Sequence, residues 1–324
     1  MREIKYLQAI REGYAAGMRA DKYSFIVGEG IGKRGGSFSE TLGLYDEFGA
    51  DRVIDMPISE SGFVGMCAGA AACGTRSIVN IMYMDFTMVA MDQIVNQAAK
   101  MRYVSGGQFT MPMTVVGMCG ICTSGGAHHT QPLYPWFMYT PGIKVVLPST
   151  PYDVKGLTAS AIMDDNLVMV FQHRGLVNMK GDVPKEDYFL PLGKAEIVRD
   201  GKHVTVVATG MMRHRAMDAA KKLAEDDNIS IEVIDPRTLM PLDEDTIINS
   251  VMKTGRLVVA DEGYAPCGIG AEIIAKVQEK VFDYLDAPMQ RVHTLSAPSP
   301  YAPTLEKGLV PDADVIIKAV KSIV

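Results

Sequence analysis

Short apolar runs alternate along the chain with segments whose apolar residues follow a helical period. Strands buried in a parallel sheet give nearly continuous apolar runs, whereas amphipathic helices space their apolar residues three or four apart. The first half predicts strands at Ser24–Gly28, Ser77–Met82, Met113–Gly117, Ile143–Pro148 and Leu167–Gln172. The helices predicted between them are Phe63–Cys73, Thr87–Arg102 and Pro151–Met163. This alternation is typical of an α/β fold with a mostly parallel sheet.

A second α/β pattern follows the charged, proline-bearing segment Pro184–Gly193, which has the composition of a linker. Its predicted strands are His203–Thr209, Ser230–Asp235, Arg256–Asp261 and Gln290–Thr294. Its predicted helices are Arg213–Glu225, Asp243–Thr254, Ile269–Phe282 and Ala313–Ile323. We therefore predict two domains, residues 1–185 and 195–324, as the usual ~100–200 residues per domain suggests.

Composition narrows the class of protein. Hydrophobic residues make up 48% of the chain and charged residues 22%, which is typical of a globular protein with a large core. The net charge is -6 and no basic run occurs, so we expect neither a nucleic-acid nor a membrane partner. With five cysteines and no signal peptide, the sequence favours a cytoplasmic protein over a disulfide framework.

The segment Asp55–Gly65 places one carboxylate, Glu60, where an apolar strand turns into a helix of small residues. Low-dielectric surroundings shift a carboxyl group toward its protonated form, which can donate a hydrogen bond at neutral pH. The alternative is that Glu60 only gains from the dipole at a helix N-terminus. Taken alone, the motif favours this second interpretation.

A glycine-rich turn, Gly28–Gly32, follows the first predicted strand. A dinucleotide site requires Gly-x-Gly-x-x-Gly at the start of a helix, and that spacing is absent here. The acid inside the turn, Glu29, is therefore of more interest than its glycines. At the next strand end, Met82–Phe86 is either ordinary core or a flat surface for stacking a planar ring.

Two cysteines, Cys119 and Cys122, precede the adjacent histidines His128 and His129 in a glycine-rich loop. Zinc sites space their histidines three to five residues apart, and a redox Cys-x-x-Cys usually opens a helix. Here the two histidines are adjacent, and the cysteine pair ends a strand instead of opening a helix, so neither a zinc site nor a redox site is favoured. A histidine in such a loop is better interpreted as an acid/base group or hydrogen-bond donor that covers an active site.

These elements occur in an order that closely resembles the E1 β subunit of thiamine-diphosphate-dependent 2-oxo acid dehydrogenases. That family includes the pyruvate, branched-chain and acetoin dehydrogenase β subunits. The motifs are Gly28-Glu29, Pro57–Gly62, Met82–Phe86, Asp92–Gly107, His128–Gln131, Pro141–Val146, Pro148–Gly156 and Asp235–Asp243. The resemblance implies an N-terminal pyrimidine-binding domain and a C-terminal transketolase-type domain.

The resemblance also implies the cofactor site. Thiamine diphosphate works when its aminopyrimidine adopts the imino tautomer and removes the thiazolium C2 proton. A carboxyl group bonded to the pyrimidine nitrogen drives that change, and the resemblance gives this catalytic role to Glu60. It implies that Phe86 stacks on the pyrimidine, that Ile58 and Met82 line its pocket, and that Glu29 lies near the amino group.

Two further sites follow from the same resemblance. His129 is implied as the second catalytic residue, guiding the substrate or the lipoyl arm, in preference to His128. A structural potassium ion is implied on the backbone carbonyls of Ala161, Asp164 and Asn166.

The family's motif for binding diphosphate and Mg²⁺, a Gly-Asp-Gly with paired asparagines some thirty residues later, does not occur in this chain. The resemblance therefore implies a partner, the E1 α subunit, in an α₂β₂ heterotetramer with a β–β contact. A lipoyl-bearing E2 is implied as the acceptor of the acyl group.

Two loops depart from the family pattern, Lys33–Glu40 and the segment His129–Trp136. The substrate therefore stays open, although the sequence leans toward the pyruvate or acetoin type. Two alternatives remain: the C-terminal subunit of a split transketolase acting on sugars, and a non-catalytic assembly subunit.

Overall fold

The computed structural model describes residues 1–324, which divide into two compact units. The first comprises residues 1–119 and 136–192, and the second comprises residues 120–135 and 193–324. The sequence predicts a single domain boundary near residue 190. In the structure, the short segment 120–135 folds with the second unit.

A parallel sheet forms the centre of the first unit and confirms the predicted α/β class. Its strands lie in the order β6–β7–β5–β4–β2–β3, and every neighbouring pair is parallel. A separate antiparallel pair joins β1 and β8. The strands are β1 Arg2–Lys5, β2 Phe25–Gly28, β3 Val53–Asp55, β4 Ser77–Tyr83, β5 Met113–Cys119, β6 Ile143–Val146, β7 Leu167–His173 and β8 Lys180–Val183. The α-helices up to residue 192 are α1 Tyr6–Ala20, α2 Leu44–Phe48, α3 Glu60–Ala72, α4 Ala99–Val104, α5 Tyr134–Met138 and α6 Pro151–Met163.

The longest helix of the first unit, α1, was not among the predicted elements. Two glycines weaken its helical pattern, but both are needed for its close packing on α6. A Cβ at Gly13 would lie 2.9 Å from the carbonyl oxygen of Lys155, and one at Gly17 would lie 2.6 Å from Ile162 Cδ1. The glycines therefore mark a helix–helix contact and not a break in the helix.

The single helix predicted at Thr87–Arg102 is wrong in detail. The region divides into a 3₁₀-helix at Met84–Ala90, a π-helix at Asp92–Ala98 and then α4. At the start of α4 the chain packs closely, because any side chain on Gly142 would overlap the Ala99 carbonyl. The wider π turn buries both Ile94 and Ala98 while leaving Ala99 in that contact.

A buried lysine connects α6 to the segment after β8. Lys155 is 0% exposed, and its Nζ donates to the carbonyl oxygens of Pro184 (2.8 Å) and Glu186 (2.9 Å). The same nitrogen lies 3.1 Å from the Glu12 carboxylate on α1. Three acceptors thus satisfy the ammonium group, which is the condition for burying a charge without a large penalty.

The second unit contains a five-stranded sheet in the order β14–β13–β10–β11–β9, in which only β9 is antiparallel to its neighbour. Its core lies between this sheet and α7 and α11. The strands of this unit are β9 Glu196–Arg199, β10 Val204–Ala208, β11 Ile231–Asp235, β12 Thr238–Met240, β13 Leu257–Tyr264 and β14 Gln290–Thr294, and β12 is not part of the five-stranded sheet. The helices are α7 Met211–Asp226, α8 Glu244–Thr254, α9 Ile269–Val281, α10 Pro303–Leu309 and α11 Ala313–Lys321. No helix in the chain has the length and apolar character needed to cross a membrane.

Candidate functional site

Two neighbouring strands of the first unit, β2 and β3, end beside each other and lead into Glu29 and Glu60. The pairing runs to the last residues of both strands, Gly28 and Asp55. Beyond it, the Met56 N–H donates to the Gly28 carbonyl (2.9 Å), and the Gly32 N–H donates to Asp55 Oδ1 (2.8 Å). Both acids therefore lie at the carboxyl edge of the sheet, where open α/β sheets bind their ligands.

Glu60 is the first residue of α3, and its side chain is only 8% exposed. A carboxylate at this position gains from the dipole of the helix, as the simpler interpretation expected. Its burial is nevertheless unusual for an acid that only caps a helix. The pKa of the neighbouring Glu29 is raised, first by partial burial and second by the negative charge of Glu60. The two carboxyl groups are thus close enough to influence each other electrostatically.

We expect Glu29→Gln to raise the thermal midpoint of the chain at neutral pH. Because the pKa of Glu29 is higher in the folded state, the ionised carboxylate costs stability once the pH exceeds the ordinary value of about 4.3. Below that pH the acid is protonated in both states, so the gain should disappear. Thermal melts over a pH series measure this, with exposed Glu279→Gln as the control. A midpoint that falls equally at every pH would contradict the prediction.

Met82 and Phe86 lie at the end of β4, where the ladder with β5 shifts register. Ile81 pairs with Gly117 and Tyr83 with Met118, so Met82 is the extra residue of a bulge. Bulges change the direction of a side chain next to many functional sites. The Phe86 and Tyr83 rings meet edge to face, with centroids 6.0 Å apart.

The row of rings continues beyond Tyr83. Tyr83 meets Phe38 edge to face at 5.2 Å, and the Arg174 guanidinium lies 4.4 Å above the Phe38 ring. Phe38 belongs to the loop Lys33–Glu40, which departs from the family pattern. This loop therefore contacts the residues at the end of β4 through an aromatic side chain.

Ile58 belongs to the loop that leads to Glu60, and its side chain is 82% exposed. It lines no enclosed pocket within this chain. The structure thus brings Glu29, Glu60, Met82 and Phe86 to one edge of the first sheet, with Ile58 on the surface of the adjoining loop.

His129 belongs to the second unit, within segment 120–135. His128 is exposed and His129 is half-buried. The flanking residues Ala127 and Gln131 form part of the wall of a cavity of about 430 Å³, together with Tyr264 and Ser296. The histidine loop therefore borders a cavity large enough for a small organic molecule.

The carbonyl groups implied for potassium lie at the end of α6 and in the turn after it. The Ala161 carbonyl accepts from Thr114 Oγ1 (3.0 Å), and the Asp164 carbonyl accepts from Arg76 Nη1 (2.8 Å). The Ala161 carbonyl also accepts from the Asp164 N–H (3.2 Å), which occupies its second lone pair. Asn166 lines a neighbouring cavity of about 280 Å³. The potassium ion at these three residues stays a prediction.

The thiols and histidines of the chain form no metal cluster. Cys119 and Cys122 form no disulfide, and no group of three or more His, Cys, Asp or Glu side chains is arranged to hold an ion. The Cys122 thiol donates to the Gly120 carbonyl at 3.6 Å.

Sequence reasoning missed two acids that contact the histidine loop, Glu262 and Glu306. The Ile121 N–H donates to Glu262, and the Ser124 N–H donates to both carboxylate oxygens of Glu306 at 3.0 and 3.1 Å. One signal was available for Glu262, because Asp261 and Glu262 interrupt an otherwise apolar buried strand. Nothing in the sequence near Glu306 distinguishes it from an ordinary surface acid.

The sequence and fold match known families over nearly the whole chain. Residues 2–180 match the family described as the transketolase pyrimidine binding domain, and residues 193–316 match the transketolase C-terminal domain. A solved structure titled a split gene transketolase, an inactive β4 tetramer, aligns with a TM-score of 0.80 at 20% identity. That alignment covers 99% of this chain and 98% of the other. At this identity the similarity concerns the fold alone.

Two curated relatives are much more similar in sequence. A pyruvate dehydrogenase E1 component subunit beta from Gracilaria tenuistipitata is 45% identical over 324 residues, covering 100% of both chains. An acetoin:2,6-dichlorophenolindophenol oxidoreductase subunit beta from Cupriavidus necator is 43% identical, covering 99% of this chain and 97% of the relative. These matches confirm the resemblance found in the motifs. The chain belongs to the family of E1 β subunits of thiamine-diphosphate-dependent 2-oxo acid and acetoin dehydrogenases.

Proposed function

We propose that the carboxyl edge of the first sheet binds the aminopyrimidine half of thiamine diphosphate, with Glu60 as the catalytic acid. The observation that carries this proposal is the buried Glu60 carboxyl group, 8% exposed, beside a second acid whose pKa is raised. A buried carboxyl group at the carboxyl edge of the sheet is placed to form a hydrogen bond with a ring nitrogen of a bound heterocycle.

The bound cofactor would supply a carbanion at its thiazolium ring for attack on a 2-oxo acid or acetoin. Within this chain, Glu60 would hold and return the proton of the pyrimidine nitrogen. Phe86 would offer a ring face to the pyrimidine, while Met82 and Ile58 would contact its edge. Glu29 would accept a hydrogen bond from the amino group, and His129 would orient the substrate or the lipoyl arm.

The chain would act together with a partner, because it lacks the diphosphate and magnesium motif. Its relatives are named as β subunits of E1 components. We therefore assign the diphosphate and Mg²⁺ to an E1 α subunit in an α₂β₂ heterotetramer with a β–β contact. A lipoyl-bearing E2 would accept the acyl group.

Reconstitution tests this function directly. The chain is purified together with an E1 α subunit and assayed with pyruvate, branched 2-oxo acids and acetoin, using an artificial electron acceptor. We expect turnover only with both subunits present, and with pyruvate or acetoin above the branched acids. Activity on sugar phosphates would favour the split-transketolase alternative, and full activity of the α subunit alone would favour an assembly role.

A potassium ion on the carbonyls of Ala161, Asp164 and Asn166 should stabilise the first unit. A ligand that binds only the folded state raises its stability in proportion to the logarithm of ligand concentration. We expect a higher thermal midpoint in KCl than in NaCl of equal ionic strength. Equal midpoints across a titration of KCl into NaCl would contradict the site.

A further inference from the structure

The loop that carries His129, residues 120–135, is held at its start, middle and end by carboxylates of the second unit. We propose that Glu262 and Glu306 are positioning residues, which hold this loop in the geometry that His129 needs for its step in the reaction. This inference rests on the role proposed for His129.

Two adjacent acids on β13 hold the ends of the loop. At its start, the Ile121 N–H donates to Glu262 Oε1. At its end, the Tyr134 hydroxyl donates to Asp261 Oδ1 at 2.6 Å. Asp261 and Glu262 are 3% and 5% exposed, so both contacts are shielded from water. Since the two acids are consecutive on one strand, the ends of the loop are fixed relative to each other.

The middle of the loop is held by Glu306 from α10. Both of its carboxylate oxygens lie within 3.1 Å of the Ser124 nitrogen. Thr123 and Ser124 have φ values of 61° and 54°, a left-handed conformation that residues other than glycine rarely adopt. Such a conformation persists only where the surroundings enforce it. A charge-assisted hydrogen bond to the Ser124 N–H is one such constraint.

The position of Ser124 is transmitted to His129 through a tight turn. The Gly126 carbonyl accepts from Thr130 Oγ1 (2.8 Å) and from the His129 N–H (3.4 Å). A Cβ at Gly125 would lie 2.6 Å from Thr130 Cγ2, so the two sides of the turn are in close contact. On its outer side, any side chain at Gly126 would overlap the Tyr301 ring. With so little free space, a displacement of Ser124 must also displace His129.

Glu306 is separate from the main core of the second unit. That core packs α7 and α11 on the sheet and includes no residue of α10. Within the stretch 301–308, Glu306 alone is not fully exposed, because it faces the loop. A smaller apolar contact of Ile121 with Leu309 and Val310 keeps α10 near the loop independently of the acid. Removing the carboxylate should therefore release the middle of the loop without unfolding the unit.

The test is a double-mutant cycle in the reconstituted α/β enzyme, using Glu306→Ala and His129→Ala singly and together. A displaced catalytic group can cost about 10- to 100-fold in rate, so we expect Glu306→Ala to lower kcat by about that factor. Glu306→Gln, whose amide oxygen still accepts from Ser124, should recover most of the loss. The double variant should be no slower than His129→Ala alone. Thermal midpoints should stay near the wild-type value, and exposed Lys307→Ala serves as the control.

Glu262→Ala should show the same coupling to His129→Ala, because it removes the acceptor of the Ile121 N–H in the same loop. Effects of Glu306→Ala and His129→Ala that multiply would overturn the inference, as would wild-type kcat in Glu306→Ala. A fully active His129→Ala variant would instead overturn the role of His129, on which the inference rests. The single His129→Ala variant thus distinguishes failure of the proposed function from failure of the loop contacts.

Discussion

Glu60→Gln should lower the turnover of the reconstituted α/β enzyme by about 10²- to 10⁴-fold, the usual contribution of a positioned acid or base. Glutamine has nearly the same size and can still form hydrogen bonds at the start of α3, but it cannot hold and return a proton. The loss should therefore appear in kcat, while the subunits still assemble. Steady-state kinetics and size-exclusion chromatography measure the two properties separately.

Glu279→Gln is the matched control, since Glu279 is an exposed acid on α9, in the second unit and away from the carboxyl edge of the first sheet. It should leave both turnover and assembly unchanged. If Glu60→Gln keeps full activity in an assembled complex, the catalytic assignment of Glu60 is wrong. A loss of assembly without loss of turnover per complex would also contradict it, because Glu60 would then serve the interface.

Lys155→Met should lower the free energy of unfolding of the first unit by about 3 kcal/mol, near the lower end of the range for breaking a buried ion pair. The methionine fills similar space, but the carbonyls of Pro184 and Glu186 and the Glu12 carboxylate lose their donor. Glu12 keeps a contact with Arg2 at 2.6 Å, which limits the loss. Urea unfolding measures the change in the free energy of unfolding, and hydrogen exchange should show faster opening at the amides of residues 185–188.

Lys185→Met separates this effect from the general loss of a positive charge. Lys185 lies in the same segment and is exposed. Its replacement should change the free energy of unfolding by less than about 0.5 kcal/mol, as is usual for surface substitutions. Equal effects of the two substitutions would show that the buried contacts of Lys155 add no stability.

Elements with complete local signals could be predicted from the sequence. The bounds of α6 are as predicted, because Pro151 opens the helix and the Thr150 side chain accepts from the Asp153 N–H as its cap. By contrast, α1 could not be predicted, because its two glycines lower the helix propensity of the segment. Their role, close contact with α6, depends on a helix that is distant in the sequence. Glu29 was recognisable because it directly follows a strand, and Glu60 because it begins the helix that comes after the next strand. The attachment of residues 120–135 to the second unit depends on distant acids such as Glu306, which no local pattern reveals.

The π-helix at Asp92–Ala98 restricts changes in chain length in this part of the fold. Each residue of an α-helix turns the chain by about 100°, so deleting one residue here would rotate everything downstream by that angle. Ala99 would then turn away from Gly142, whose bare backbone it contacts. Substitutions in Asp92–Ala98 can be absorbed one side chain at a time, whereas an insertion or deletion would alter the direction of α4 as a whole. Homologous chains that share the Gly142 contact should therefore keep this segment at constant length, even where its residues differ.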